Sequence, residues 1–203
     1  MPTISGIDNP PKARYNDGTH IRSNRHIYGG IMQQLYLTGA HAAELADRLF
    51  TALNIRPAGY RLLPFCVEEG LRGDALHLLL PPAVPMDNNV PCRVRLHGDD
   101  WCIVPRVLDE IAAPNLLRAI TVHKPLLLGG LTAQMLTCTT FRESIVAVLT
   151  SERPVIIATE DSAAEHLRAL TPAETQMWLS VPDEAEEQSA LLEHLVAEAA
   201  LRM

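Results

Sequence analysis

Residues Gly39 to Ala46, GAHAAELA, stand where a strand passes into a helix, the place at which a phosphate-gripping chain carries its cradle. The pattern G-x-x-x-x-G-K-[ST] works because backbone amides wrap the anion, the lysine pairs with its charge and the hydroxyl holds Mg²⁺. Set against it, Gly39 holds the first glycine, but Glu44 falls at the second, Leu45 at the lysine and Ala46 at the hydroxyl. What such a turn keeps is its backbone. Gly39, Ala40, His41, Ala42 and Ala43 are the candidates for vestigial nucleotide binding; a helix N-terminus could hold His41 near a bound anion, while a plain solvent-facing loop residue is the favoured reading of it. Glu44, in the first helical turn, repels one. An ordinary strand-to-helix turn in which Gly39 relieves backbone strain accounts for the same residues without a ligand, and both readings stay open.

Other constellations carry less chemistry. Asp109 and Glu110 imitate the acidic pair that orients a metal-bound nucleotide, but the preceding IVPRV holds Pro105 and Arg106, which do not suit a buried parallel strand. They read as helix-start acids. Glu68 and Glu69 read as a solvated turn between strands. Cys92, His97 and Cys102 match no zinc module and lack a fourth ligand, so they read as strand residues. Ser144 and Ser162 sit in no G-x-S-x-G context. No catalytic residue and no metal ligand are assigned.

The elements that must position these residues follow from apolar pattern. The first 26 residues mix prolines, charges and turn formers without an apolar period, as a flexible N-terminal arm does. Residues 27–203 form a single domain. Leu35, Tyr36 and Leu37 are adjacent, which fits a central strand covered on both faces. Leu45, Leu49, Phe50 and Leu53 then recur along one helical stripe. From Gly59 to Arg106 short β-like runs alternate with turn residues, Glu68 to Asp74 and His97 to Asp100 among them, a pattern of antiparallel hairpins. Pro114 predicts two short helices within Val107 to Thr121. Lys124 to Gly130 and Arg153 to Thr159 are continuous apolar strands joined by the helix Phe141 to Leu149, a βαβ crossover with parallel strands. Gln176 to Val181 is the last strand, followed by a helix expected to start at Pro182.

Composition narrows the function classes. A chain of 203 residues with 47% hydrophobic content can bury a substantial core. Its net charge of −7 offers no basic stripe for a phosphate backbone, so nucleic acid is disfavoured as a partner. Four dispersed cysteines without a C-x-x-C pair, and a polar start rather than a secretory signal, predict reduced thiols in a cytoplasmic protein. The longest apolar run is far short of the roughly 20 residues a membrane span needs.

The order strand, loop, helix, hairpins, helix, strand, helix, strand, helix, strand, helix resembles the small P-loop nucleoside-triphosphatases of the thermophile type, also called cancer-related NTPases, over about residues 32–195. LYLTG (Leu35 to Gly39), AGYRLLPF (Ala58 to Phe65), PLLLGGLTAQML (Pro125 to Leu136) and TFRESIVAVLTSERPVIIAT (Thr140 to Thr159) are similar to that family's segments, in order. The resemblance implies an α/β, three-layer P-loop NTPase-like domain with a mainly parallel central sheet and an inserted antiparallel β-hairpin region. Leu35 to Leu37 is then expected to lie inside the sheet, flanked by Leu126 to Leu128.

The resemblance also implies a site whose charged groups this chain lacks, since Gly129 and Gly130 occupy the family's acidic Walker B positions. Phosphoryl transfer rests on positioning and charge stabilisation, so loss of the ammonium and the metal ligands together removes most of the catalysis. The expectation is a pseudo-NTPase, a non-catalytic binding or regulatory protein without a cofactor. It acts through a protein partner, a homo-oligomer, or a retained small-molecule or nucleotide pocket. The alternative is a nucleotide-binding phosphoryl-transfer enzyme that uses Mg-nucleotide, with Glu68, Glu69 or Asp109 for the metal and Arg72 for phosphate.

Overall fold

The computed structural model describes residues 34–67, 70–96 and 100–200. The arm expected over residues 1–26, together with Glu68, Glu69 and His97, lies outside the described residues.

One eight-stranded sheet organises the chain in the order β5-β4-β3-β2-β6-β7-β1-β8. Its parallel part comprises β2 (Ala58–Cys66), β6 (Leu126–Leu131), β7 (Val155–Thr159), β1 (Gln34–Thr38) and β8 (Gln176–Ser180). The inserted region adds β3 (Leu71–Leu78), β4 (Val90–Leu96) and the two-residue β5 (Cys102–Ile103), all antiparallel. The apolar runs at β1, β6 and β7 exist because both faces are covered. Tyr36, Leu126, Leu128, Val155 and Ile157 pack on one side with Leu116, Phe141, Ile145 and Leu167 of α3 (Ala113–Thr121), α4 (Thr139–Leu149) and α5 (Asp161–Arg168). Leu35, Leu37, Leu127 and Ala158 pack on the other with Leu45, Leu49 and Phe50 of α1 (Ala42–Ala52) and Leu195 of α6 (Ala185–Ala200). The result is three layers, helices on both faces of a mainly parallel sheet.

Four expectations are corrected. Leu35 to Leu37 is interior, but β7 separates it from Leu126 to Leu128: Leu35 pairs with Ile156 and Met177, and Leu127 pairs with Ile156 from the other side. The β6–α4–β7 crossover returns its strand directly beside β6, and β7's run of buried residues fills that central place. Secondly, Leu71 to Asp74 is not loop but the start of β3, paired with Pro64 to Cys66 and with Arg93 to Leu96. A side chain at Gly73 would run into the Phe65 ring, so the absent Cβ lets that ring cover the strand.

Thirdly, Pro114 does not split its helix. A π turn, Leu108–Ala112, joins α2 (Pro105–Val107) to α3, with Ala113 donating to the Leu108 carbonyl. The wider turn relieves the clash of the proline ring with the carbonyl four residues back, and the chain stays helical. Lastly, α6 starts at Ala185 and not at Pro182, because the Gln188 side chain donates to the Pro182 carbonyl at 2.9 Å and holds residues 182–184 outside the helix.

Candidate functional site

Adjacent strands whose connections leave to opposite faces open a crevice at their carboxyl ends. β1 leads into α1 on one face, and its neighbour β7 leads into α5 on the other. The crevice therefore lies beyond Thr38 and Thr159, which pair with each other in register. Gly39 to Ala43 borders it from β1, and Glu160 from β7.

The β1–α1 turn holds three residues, Gly39, Ala40 and His41, before the helix begins at Ala42. Gly39 has φ +103°, and a Cβ there would come 3.0 Å from the Val181 carbonyl. Val181 in turn donates its N–H to Thr38 O at 2.8 Å, so the turn is pressed against the chain leaving β8. Ala42 N–H is taken by Gly39 O at 3.2 Å and Leu45 N–H by His41 O at 2.9 Å. This leaves the amides of Ala43 and Glu44 without an i−4 acceptor inside the helix. His41 occupies the N-cap position, makes no capping bond, and lies 3.7 Å through Nδ1 from Glu44 Oε2.

The helix thus begins within the span that a six-residue phosphate loop occupies before its lysine. Leu45 and Ala46, set by sequence against the lysine and hydroxyl of the G-x-x-x-x-G-K-[ST] pattern, are 1% and 0% exposed and belong to the core under α1. At the end of β6, Gly129 and Gly130 form an irregularity in the ladder to β7, with Gly130 at φ +89° against the Leu62 side chain. Thr159 Oγ1 donates to the Leu131 carbonyl at 2.9 Å and closes the carboxyl end of β6 onto that of β7.

Two charged groupings, neither suggested by the sequence, flank this edge. Arg93 of β4 donates through Nε at 2.8 Å and lies through Nη2 at 2.7 Å from Asp74 Oδ2, while Nη1 reaches Glu160 Oε1 at 2.7 Å. Its guanidinium also stacks over the Trp101 ring, 4.2 Å from the centroid, and Arg95 approaches the same ring at 4.7 Å. This grouping ties the inserted hairpins to the end of β7. Burial draws the Arg93 pKa down, but hydrogen bonds and charge from Glu160 and Asp74 outweigh it and leave the guanidinium more firmly protonated than usual. On the α1 face, Arg61 of β2 reaches Asp47 of α1 at 3.4 Å. Arg61 and Asp47 are 14 residues apart, and Arg93 lies 19 and 67 residues from Asp74 and Glu160, separations that no local motif records.

The remaining candidates are distributed elsewhere. Asp109 accepts the Phe141 N–H at 2.9 Å at the start of α4, and Glu110 pairs with Arg106 at 2.7 Å on its own helix. Arg72 is exposed on β3, opposite Arg95. Cys92 is buried with its thiol directed at the Asp74 carbonyl, and burial foremost, with the Asp74 charge, pushes its pKa up to about 12. Cys102 is exposed. Among the described residues no group of three His, Cys, Asp or Glu side chains could hold a metal ion. Ser144 is committed to the Phe141 carbonyl at 2.6 Å, and Ser162 lies 3.4 Å from Glu160. No helix among the described residues is long and apolar enough to cross a membrane.

The layers and the mainly parallel sheet with its antiparallel insertion match a P-loop NTPase-like α/β fold. The chain is similar to the crystal structure of THEP1 from the hyperthermophile Aquifex aeolicus, with a TM-score of 0.61 and 12% identity, over 82% of this chain and 99% of that one. At that identity the likeness establishes the fold. No family model and no curated protein sequence matches the chain.

Proposed function

We propose that this chain is a cytoplasmic, non-catalytic binding or regulatory protein built on the P-loop NTPase-like scaffold, a pseudo-NTPase whose crevice at Gly39 to Ala43 takes a small molecule or a protein partner. The observation that carries this reading is the burial of Leu45 and Ala46 in the α1 core. A phosphate loop needs its lysine and hydroxyl at the anion, and here those two positions support packing instead. Glu44 supports the same reading, since its exposed carboxylate in the first turn of α1 opposes a triphosphate.

Calorimetric titration with ATP and GTP, with and without Mg²⁺, together with a phosphate-release assay, tests the proposal. Turnover indistinguishable from the blank is the expected result. Micromolar, magnesium-dependent nucleotide binding with hydrolysis would overturn it in favour of an enzyme with substitute residues.

A further inference from the structure

The sheet ends differently at its two borders. β5 is two residues long, and a strand that short leaves little backbone for another chain to pair with. β8 forms the opposite border, and its five residues keep unbroken register with β1. Gln176 to Ser180 holds no proline, no bulge and no charged side chain, the devices that ordinarily blunt such a border.

The direction of its main-chain groups follows from one bond. Val181 donates its N–H to Thr38 O, where β1 ends, and successive residues of a strand turn these groups to opposite sides. Met177 and Leu179 therefore bond toward β1. Gln176, Trp178 and Ser180 direct their N–H and C=O groups outward, and no described residue bonds to them. The side chains along the border are half-buried, Met177 and Leu179 against the α6 layer and Trp178 on the other face, stacked on Tyr36 with 4.1 Å between ring centroids. A further strand would extend both apolar surfaces.

Charge selects what can lie there. Glu174 precedes the strand, Asp183, Glu184, Glu186 and Glu187 follow it, and all are exposed without an ion pair among the described residues. Between these ends the Arg168 guanidinium lies over the Trp178 ring, 4.4 Å from its centroid. The border is thus acidic at both ends and cationic over its middle. A second copy of the chain does not suit it, because antiparallel pairing about Trp178 sets Glu174 of one copy opposite Pro182 of the other, beside Asp183.

We propose that the outer side of β8 is a docking site for an extended segment of another protein, apolar at its centre and carrying Lys or Arg at both ends, which joins the sheet as an added strand. Main-chain bonds to Gln176, Trp178 and Ser180 hold it. Its end charges meet Glu174 on one side and Asp183 and Glu184 on the other, and its centre avoids Arg168. The site lies at the border of the sheet and not in the crevice beyond Thr38 and Thr159, so it goes beyond the reading above and does not rest on it.

The test follows the backbone amides of the isotope-labelled full chain by NMR while the peptide acetyl-KKTVIVTKK-amide is added. Expected are saturable shifts centred on Trp178 and Ser180, with hydrogen exchange of those amides slowed about tenfold or more at saturation. Acetyl-KKTPIPTKK-amide, equal in charge but lacking donors at its centre, and acetyl-EETVIVTEE-amide are each expected to bind about tenfold more weakly or worse. Ser180→Pro removes an outward donor, leaves the bonds to β1 in place and is expected to weaken the first peptide about tenfold. Should that variant fail to fold, Glu174→Gln combined with Asp183→Asn decides, with a severalfold loss expected at low salt. Absence of binding, equal binding of the proline peptide, shifts centred elsewhere or unchanged affinity in the variants would overturn the proposal. So would slow exchange of Trp178 and Ser180 without peptide, which assigns the border to the chain's own residues 1–33 in a monomer, or to a second copy where light scattering finds a dimer. Nucleotide turnover by the natural chain would instead overturn the non-catalytic reading and leave the β8 result standing.

Discussion

The carboxylate of Asp109 accepts the main-chain N–H of Phe141 from a different helix, with 2.9 Å between Oδ1 and nitrogen. Cys138, at the N-cap position of α4, makes no side-chain capping bond, so the cap is supplied in trans by the π turn. Asp109→Ala is expected to lower stability by about 1–2 kcal/mol in urea unfolding, and Asp109→Asn, which keeps an acceptor, by less. Burial first and the Asp109 charge second raise the Cys138 thiol pKa. Asp109→Asn therefore shifts the pH dependence of Cys138 alkylation to lower pH.

Arg93 and Asp74 are 13% and 12% exposed, while Glu160 is 49% exposed. Asp74→Ala leaves a buried guanidinium with its inner partner gone, at an expected cost of about 3–5 kcal/mol. Glu160→Ala removes the solvent-screened partner and is expected to cost about 1 kcal/mol or less. Denaturant midpoints of the two variants should differ in that order, and equal midpoints would refute the division of labour.

Cys92 gives a test in alkaline solution. Its folded pKa is raised from 9.0 to about 12, so the unfolded chain loses this proton first as pH rises. The stability associated with the neutral thiol is fully present below about pH 9 and declines between about 9 and 12, by at most about 1.4 kcal/mol per pH unit. Cys92→Ala should flatten the slope of unfolding free energy against pH across that window. Tyr60, raised chiefly by its own burial, contributes in the same direction and remains in the variant as the background slope.

Under the proposed function, introducing the lysine and hydroxyl of the G-x-x-x-x-G-K-[ST] pattern is expected not to produce nucleotide hydrolysis. Leu45→Lys combined with Ala46→Thr puts an ammonium and a hydroxyl into the core beneath α1, where the native residues are 1% and 0% exposed. The expected outcome is a loss of about 3 kcal/mol or more and no magnesium-dependent phosphate release. A stable, hydrolytic double variant would mean that the β1–α1 turn can reopen into a loop.

Runs such as Leu35 to Leu37, Leu126 to Leu128 and Val155 to Thr159 were legible as strands because burial on both faces leaves an unbroken apolar signature. The stripe Leu45, Leu49 and Phe50 was legible for the same reason at helical period. Strand order was not: nothing local to β7 says that it lies between β6 and β1, since that placement is decided by long-range packing. Leu71 to Asp74 looked like a turn because Gly70 and Gly73 resemble loop punctuation, whereas Gly73 serves a strand that Phe65 covers. At the candidate site, the departure of Glu44, Leu45 and Ala46 from the G-x-x-x-x-G-K-[ST] pattern was plain in the residues themselves. The shortness of the β1–α1 turn and the meeting of Arg61 with Asp47, or of Arg93 with Glu160, required three dimensions.

The wide turn before Pro114 sets the angular phase of everything on its N-terminal side. One surplus residue in a helix rotates the preceding segment by about 100° relative to a regular spiral. Leu108 and Ala112 both reach the core, while Asp109 between them aims sideways at α4. Excising a single residue here would heal the spiral yet swing Pro105 to Val107 to another azimuth, and with them the point at which the inserted hairpins rejoin the body of the molecule.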